Sequence, residues 1–306
     1  FPIQRKSMNP VADIKTYFSF RKIFNEIKPD VVLAYTIKPI IWSGLAIRKF
    51  SNIRFYALIT GLGFAFQSEN AFRGILVKLV VLLYKCSLSQ ASAVIFQNPD
   101  NRDEFANRKI GVNLKYFIIR GSGVNLSRFA LFPIRKKRCV FLSIGRLLGD
   151  KGFREFNTAA RLVKKRYPEA VFQLVGPEDP SPDAIPLSEI QEWHKEGWVE
   201  YCGAIQDVRP FLNDCSVFVL PSYHEGMPRT VLEAMSVGRP ILTTDVPGCR
   251  ETVIQGENGF LVPKGDAEAL AERMIWFFKN REKWKEMGEK SRALAEKNFD
   301  VHQVNL

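Results

Sequence analysis

Two glutamates eight positions apart, Glu225 and Glu233, stand out as groups able to do chemistry, in the run Pro221-Ser222-Tyr223-His224-Glu225-Gly226-Met227-Pro228-Arg229-Thr230-Val231-Leu232-Glu233. A carboxylate pair at this spacing reads either as an acid/base couple or as two acceptors for sugar hydroxyls. Its surroundings separate the two readings. The apolar run Val217–Leu220 enters the segment as a strand, and Pro228 suits the first turn of a helix, where its missing N–H costs nothing. Glu225 then lies in the loop before the helix, and Glu233 more than a turn inside it. Free amides at Met227–Thr230 would favour an anion. A carboxylate beside a phosphate is electrostatically poor, so the pair reads as hydroxyl-holding groups flanking an anion site.

A second run, Ser143-Ile144-Gly145-Arg146-Leu147-Leu148-Gly149-Asp150-Lys151-Gly152, ends a buried strand, carries two cations five residues apart and leads into a helix. Two cations can neutralise a diphosphate, and the glycines let backbone approach it. The same residues also suit a loop of solvated basic side chains.

The elements that must position these groups alternate along the chain. Ten short β-branched runs, from residues 31–34 to 259–262, are interleaved with nine segments of helical period, from 14–27 to 281–298. Alternation of this kind predicts an α/β fold of right-handed βαβ units, with mostly parallel sheets buried on both faces. Phe129–Arg138 joins Phe-Pro to the basic run Arg135-Lys136-Lys137-Arg138 just before a new apolar strand. The expected organisation is a Rossmann-like domain over 1–132, a second over 139–298 and the start of a return segment over 299–306. Ligands are expected in a crevice between the two domains, where strand C-termini meet helix N-termini.

Charge is distributed unevenly. Residues 1–130 hold 19 Lys/Arg against 7 Asp/Glu, and residues 131–306 hold 25 of each, so the net +12 belongs to the N-terminal half. A basic half suits nucleic acid, anionic lipid or a phosphorylated substrate. Residues 71–90 are apolar at most positions with Arg73, Lys78 and Lys85 interspersed, which fits a core helix or an interfacial one. With the charge placed where it is, peripheral contact with an anionic membrane surface is expected, and a nucleic-acid partner is not. The longest apolar stretch, Ile75–Tyr84, is short and broken by Lys78, so no membrane span is expected. Five cysteines without a CxxC pair and three scattered histidines argue against a zinc site and for a reducing compartment. The chain begins on Phe1, and Phe1-Pro2-Ile3 reads as a short strand. We expect the sequence to be N-terminally incomplete.

These motifs together resemble the GT-B glycosyltransferases of family 4, which are retaining enzymes. Glu225 and Glu233 match the family's E-x7-E signature, and Gly145-Arg146…Lys151-Gly152 its diphosphate-binding segment. Cys202-Gly203-Ala204-Ile205 looks like the loop that holds the nucleotide base. Gly238-Arg239-Pro240-Ile241, Pro247-Gly248-Cys249-Arg250-Glu251 and Gly256-Glu257-Asn258-Gly259-Phe260-Leu261-Val262 fit in order and spacing. Tyr35-Thr36-Ile37-Lys38-Pro39, Thr60-Gly61-Leu62-Gly63, Phe96-Gln97-Asn98-Pro99-Asp100 and Gly121-Ser122-Gly123-Val124-Asn125 look like a bacterial branch that builds capsules, O-antigens and lipid-linked glycans.

The resemblance implies a GT-B fold with two facing Rossmann-like domains, Arg146 and Lys151 on the donor diphosphate, Glu233 on the ribose and Glu225 near the transferred sugar. Gly145, Ile205, Gly226, Met227, Pro228, Arg229 and Thr230 complete the expected donor site. Tyr35, Thr36, Lys38 and Gly61 are the acceptor-side candidates. The expected reaction transfers a hexose or N-acetylhexosamine, with retention, from a UDP-sugar to a polyprenyl-diphosphate-linked glycan. It uses no cofactor and no metal, in keeping with the absence of any Asp-x-Asp. The expected location is cytoplasmic, on the inner face of the membrane. The sequence departs from the family at Tyr35, where many members carry His, and in the first βα units, of about 30 residues each, which would precede Phe1.

Other readings of the same residues are a nucleotide-sugar epimerase of this fold and an inactive nucleotide-sugar-binding protein. Gly61-Leu62-Gly63 does not complete a dinucleotide fingerprint, since position 66 is Phe. His224 suits loop packing better than general-base work. Cys249 suits packing better than nucleophilic attack.

Overall fold

In the computed structural model, which describes residues 10–62, 71–135 and 137–304, the alternation resolves into two parallel sheets. The expected strand at Phe1-Pro2-Ile3, together with Gly63, Lys136, Asn305 and Leu306, lies outside the described residues.

The chain divides into units Phe1–Ile119 and Arg120–Leu306. The first contains α1 (Pro10–Ile27), β1 (Val31–Tyr35), α2 (Ile37–Ile47), β2 (Arg54–Ile59), α3 (Ala71–Ser87), β3 (Ala91–Phe96), α4 (Pro99–Asn107) and β4 (Lys115–Ile118). Its strands pair in the order β1-β2-β3-β4, all parallel. Phe55, Ala57, Ile59, Val94 and Phe96 face a core built with Ile40, Ile41, Ile47, Tyr84 and Phe105 from the helices. Burial on both faces is not realised here among the described residues. On the opposite face Val31, Leu33, Tyr35 and Phe117 are about half exposed. The physical reason is that α1, α2, α3 and α4 all contribute to the single core on the first face.

The second unit contains β5 (Val140–Ile144), a 3₁₀ turn (Gly149–Lys151), α5 (Phe153–Lys164), β6 (Val171–Val175), α6 (Leu187–Lys195), β7 (Glu200–Tyr201), α7 (Arg209–Asp214), β8 (Val217–Leu220), α8 (Arg229–Ser236), β9 (Ile241–Thr244), β10 (Gly259–Val262), α9 (Ala267–Lys279), α10 (Lys283–Asn298) and α11 (Val301–Val304). The strand order is β10-β9-β8-β5-β6-β7, again all parallel. Both faces are covered. Phe141, Phe172, Leu174, Val217 and Val219 pack with α5 and α9 on one face, and Leu142, Ile144, Phe218, Leu220 and Ile241 pack with α8 on the other. β5 and β8 are therefore buried along their whole length, as their apolar composition requires.

The expected domain boundary at 132 moves to 119, because residues 120–132 pack with the second unit. Val124 donates to the Phe299 carbonyl and accepts from Val301 N–H, and Phe132 donates to Val237. Arg239, fully buried, donates to the carbonyls of Phe132, Leu212 and Asn213. Arg292 and the Ser236 hydroxyl both donate to the Phe129 carbonyl. The stretch Phe299–Val301 pairs with Val124. Helix α6 does not appear in the periodic reading. Pro228, expected inside the helix, is the flanking residue before α8, with ψ 104.

Candidate functional site

In the second unit the direction of strand progression reverses between β5 and β8, the topological switch point where ligands of such sheets bind. The loops leaving these two strands are tied together. The Asp150 carbonyl accepts from Tyr223 N–H at 2.7 Å and from the Ser222 hydroxyl at 3.0 Å. Gly152 is left-handed, with φ +70, and a Cβ there would lie 1.9 Å from the Pro221 carbonyl oxygen. Only glycine allows this approach.

The consequence is an ion pair between the two loops. Lys151 Nζ lies 2.6 Å from Glu225 Oε1, with the side chains 16% and 14% exposed. Burial, the largest influence, would by itself lower the lysine pKa, but the Glu225 and Asp150 charges and the hydrogen bond to Glu225 together outweigh it, and the value stands above that of an ordinary lysine. The Asp150 carboxyl is pushed above the ordinary carboxylate range by burial, which outweighs the neighbouring Lys151, with Glu225 and Asp183 adding to the rise.

Arg146, on the same loop, extends the cationic edge. Its Nη1 donates to Asp179 Oδ2 at 2.6 Å. Asp179 belongs to the loop after β6, and that loop braces the first one. Leu147 N–H donates to Pro177, Gly149 N–H to the Asp183 carbonyl, and Asp150 N–H to the Asp183 side chain, while Leu148 and Ala184 form an antiparallel bridge.

Beyond the Glu225 loop, the α8 ladder begins late. Val231 and Leu232 both donate to the Pro228 carbonyl, so the Arg229 and Thr230 amides fall outside the helix's own pattern. Glu233 follows one turn in, its side chain 13% exposed, with Arg229 Nη2 at 3.7 Å from Oε1. Burial pushes the Glu233 carboxyl up against the pull of Arg229 and Arg128. Glu225 N–H donates to the Pro247 carbonyl, which holds the loop from its far side. Gly121 and Met227 are equally close, since a Cβ on the glycine would lie 2.6 Å from the Met227 side chain.

The structure thus brings together Gly145, Arg146, Lys151, Glu225, Gly226, Met227, Pro228, Arg229, Thr230 and Glu233 at the strand C-termini of one sheet. Ile205 follows β7 on the same side. Gly203, two residues before it, accepts from Gly176 N–H in the loop after β6, and Tyr201 OH donates to the Gly176 carbonyl. Tyr35, Thr36, Lys38 and Gly61 lie in the first unit, at the ends of β1 and β2. Tyr35 is half exposed, and Lys38 Nζ is 2.7 Å from Asp13 of α1. Thr36 has φ 68 and ψ 159, a region that costs a side-chain-bearing residue of order 1–3 kcal/mol. Cys249 is fully buried, and its thiol is pushed up to about 12 by burial, which makes it an inert packing group. Among the described residues, no three His, Cys, Asp or Glu side chains are grouped as metal ligands.

Sequence reasoning missed Asp179 and Asp183, which brace the cationic loop, and Arg128, whose charge reaches Glu233. The signal for the first two was topological. In a sheet of this order β6 neighbours β5, so polar residues just after β6 meet the loop after β5. For Arg128 the signal was hidden by the misplaced boundary.

Two parallel α/β units, the second with cations, carboxylates and a helix N-terminus gathered at its switch point, define a protein of the GT-B class. Residues 138–280 match the family described as Glycosyl transferases group 1, and residues 1–98 match Glycosyl transferase 4-like. The chain belongs to this family of glycosyltransferases. It is 32% identical over 291 residues to N,N'-diacetylbacillosaminyl-diphospho-undecaprenol alpha-1,3-N-acetylgalactosaminyltransferase of Campylobacter jejuni, covering 90% of this chain and 74% of that protein. Sucrose-phosphate synthase of Thermosynechococcus elongatus superposes with a TM-score of 0.81 at 22% identity, over 96% of this chain and 75% of the other. HepE of Anabaena, in complex with UDP-glucose, superposes with a TM-score of 0.78 at 20% identity, over 98% and 82%.

Proposed function

We propose that the chain transfers a hexose or N-acetylhexosamine, with retention, from a UDP-sugar to a glycan acceptor linked to polyprenyl diphosphate in cell-surface polysaccharide synthesis. The observation that carries this reading is the Lys151–Glu225 contact at the switch point, with Arg146 and the α8 N-terminus on either side. Lys151, Arg146 and the Arg229 and Thr230 amides neutralise the leaving diphosphate. Glu233 accepts from the ribose hydroxyls and Glu225 from the transferred sugar, while the loop ending at Ile205 receives the base. No side chain acts as nucleophile, and neither metal nor cofactor takes part. Tyr35, Thr36, Lys38 and Gly61 serve the acceptor. UDP follows the complex of HepE, and the lipid-linked acceptor follows the activity named for the Campylobacter relative.

We also assign the protein to the inner face of the cytoplasmic membrane as a peripheral protein. Among the described residues no helix is long and apolar enough to cross a membrane. Helix α3 buries Tyr84 in the core and exposes Leu79 and Leu82 between the exposed Lys78 and Lys85, which supports contact with an anionic surface. Sedimentation with anionic vesicles, reversed by high salt, is the expected behaviour. Equal binding to neutral vesicles, or none to either, refutes it.

The test of the reaction is a thermal-shift screen of UDP-, GDP- and ADP-sugars, followed by product analysis with and without a lipid-linked acceptor. Stabilisation by UDP-sugars and acceptor-dependent transfer are expected. Release of altered sugar without acceptor would identify an epimerase, and tight UDP binding with no turnover an inactive binder.

A further inference from the structure

The Arg146–Asp179 pair is buried very unequally, the aspartate side chain being 4% exposed and the arginine side chain 55%. A carboxylate withdrawn from water this far must have its oxygens satisfied. Oδ1 accepts from Ser181 N–H at 2.8 Å and from the Ser181 hydroxyl, and Oδ2 accepts from Arg146 Nη1 at 2.6 Å. Asp179 is therefore a fixed point. The backbone bridges from Leu147 to Pro177 and from Gly149 to Asp183 hold its loop against the cationic one. Arg146 is the movable member, a long side chain carrying five N–H donors in a planar fork. Held at Nη1, the fork keeps its other donors for another anion.

We propose that Asp179 is a positioning residue for the donor diphosphate, holding Arg146 at the mouth of the switch point before the nucleotide arrives. The inference rests on the assignment of Arg146 to the diphosphate. An unheld arginine would lose its rotamer freedom on binding, and the Asp179 contact settles that loss in the free protein.

The experiment measures UDP binding by calorimetry and uridine binding by NMR titration on the full chain, for wild type, Asp179→Asn, Arg146→Ala and the double variant. Asp179→Asn should weaken UDP roughly tenfold, the loss of one charge-assisted hydrogen bond. Uridine, which lacks the diphosphate, should be unaffected. In the Arg146→Ala background, Asp179→Asn should have no further effect, since Asp179 acts through the guanidinium. The proposal is overturned by unchanged UDP affinity, by equal losses for UDP and uridine, or by an undiminished Asp179→Asn effect without Arg146. Should Asp179→Asn fail to fold, Ser181→Ala loosens the same carboxylate. A smaller loss confined to UDP is then expected, and no loss overturns the proposal. Wild-type protein that does not bind UDP would instead remove the donor-site reading on which this rests.

Discussion

Lys151 and Glu225, 74 residues apart in the chain, meet at 2.6 Å because the loops after β5 and β8 are locked to each other by Asp150, Ser222 and Tyr223. The contact makes each residue the other's counter-ion before any ligand is present. Under the proposed function, a diphosphate approaching Lys151 would compete with that carboxylate and release Glu225 toward the sugar. Lys151→Met should lower kcat roughly a hundredfold or more, the scale of losing one preorganised electrostatic contact. It should also destabilise the fold by up to about 3–5 kcal/mol, because the buried Glu225 carboxylate loses the Lys151 charge. Adding Glu225→Gln should recover much of the melting temperature and none of the turnover. Near-wild-type transfer by the single variant would remove Lys151 from the donor site.

Glu233 is held in an environment that disfavours its own charge. Burial raises its folded-state pKa above the unfolded value, so the native state binds more protons than the unfolded one between those two values. Its contribution to stability is therefore present at acid pH and falls as pH rises from about 4.5 through the folded pKa. Glu233→Gln should raise the melting temperature of the ligand-free protein at neutral pH, with the gain vanishing below the unfolded pKa. The same change should weaken nucleotide binding, since an amide is a poorer acceptor for ribose hydroxyls. A variant no more stable than wild type at pH 7 would show that Arg229 compensates the burial in full.

Arg239 stitches the segment preceding β5 to the α7–β8 turn. Its guanidinium is fully buried and donates to the carbonyls of Phe132, Leu212 and Asn213. Arg239→Met keeps the length of the side chain and orphans those acceptors. At about 1.5–3 kcal/mol for each charge-assisted bond, offset in part by water reaching the carbonyls, a loss of at least about 3 kcal/mol is expected. Calorimetry should show the melting temperature falling by roughly 6–12 °C. A fall of less than two degrees would mean that the three bonds are dispensable.

The residues of the candidate site were legible because each sits in a local pattern of strand, loop and helix that survives folding unchanged. All ten strands appear within two residues of their predicted ends, and Glu225 and Glu233 occupy the loop and helix positions their spacing implied. What was not legible depends on contacts made at long range. The segment 120–132 reads as the tail of the first unit until Arg239 and Phe299 claim it for the second. Asp179 lies in a proline-rich stretch, Gly176-Pro177-Glu178-Asp179-Pro180-Ser181-Pro182, with no periodicity, and its value comes from β6 lying beside β5. Helix α6 is nine residues long and begins directly after Pro186, too short to declare a period. The exposed face of the first sheet follows from the placement of whole helices, which no local pattern encodes.

Thr36 tests whether strain at the end of β1 serves the acceptor side. At φ 68 and ψ 159 it occupies a region that suits glycine, and it carries a β-branched side chain there with no capping hydrogen bond in return. The strain is worth of order 1–3 kcal/mol. Thr36→Gly relieves it but makes the unfolded chain freer, which costs about 0.5–1 kcal/mol. Relief outweighs the entropy, so the variant should be more stable than wild type by about 1 kcal/mol, an upward shift of roughly 2–4 °C in melting temperature. Such a conformation persists only where surrounding structure enforces it, and it holds the Thr36 hydroxyl at the C-terminal end of the strand. Acceptor-dependent transfer by Thr36→Gly should therefore fall while UDP affinity, which the proposed function places in the second unit, stays constant. A stabilised variant with undiminished transfer would mean that the strain at Thr36 has no part in the reaction.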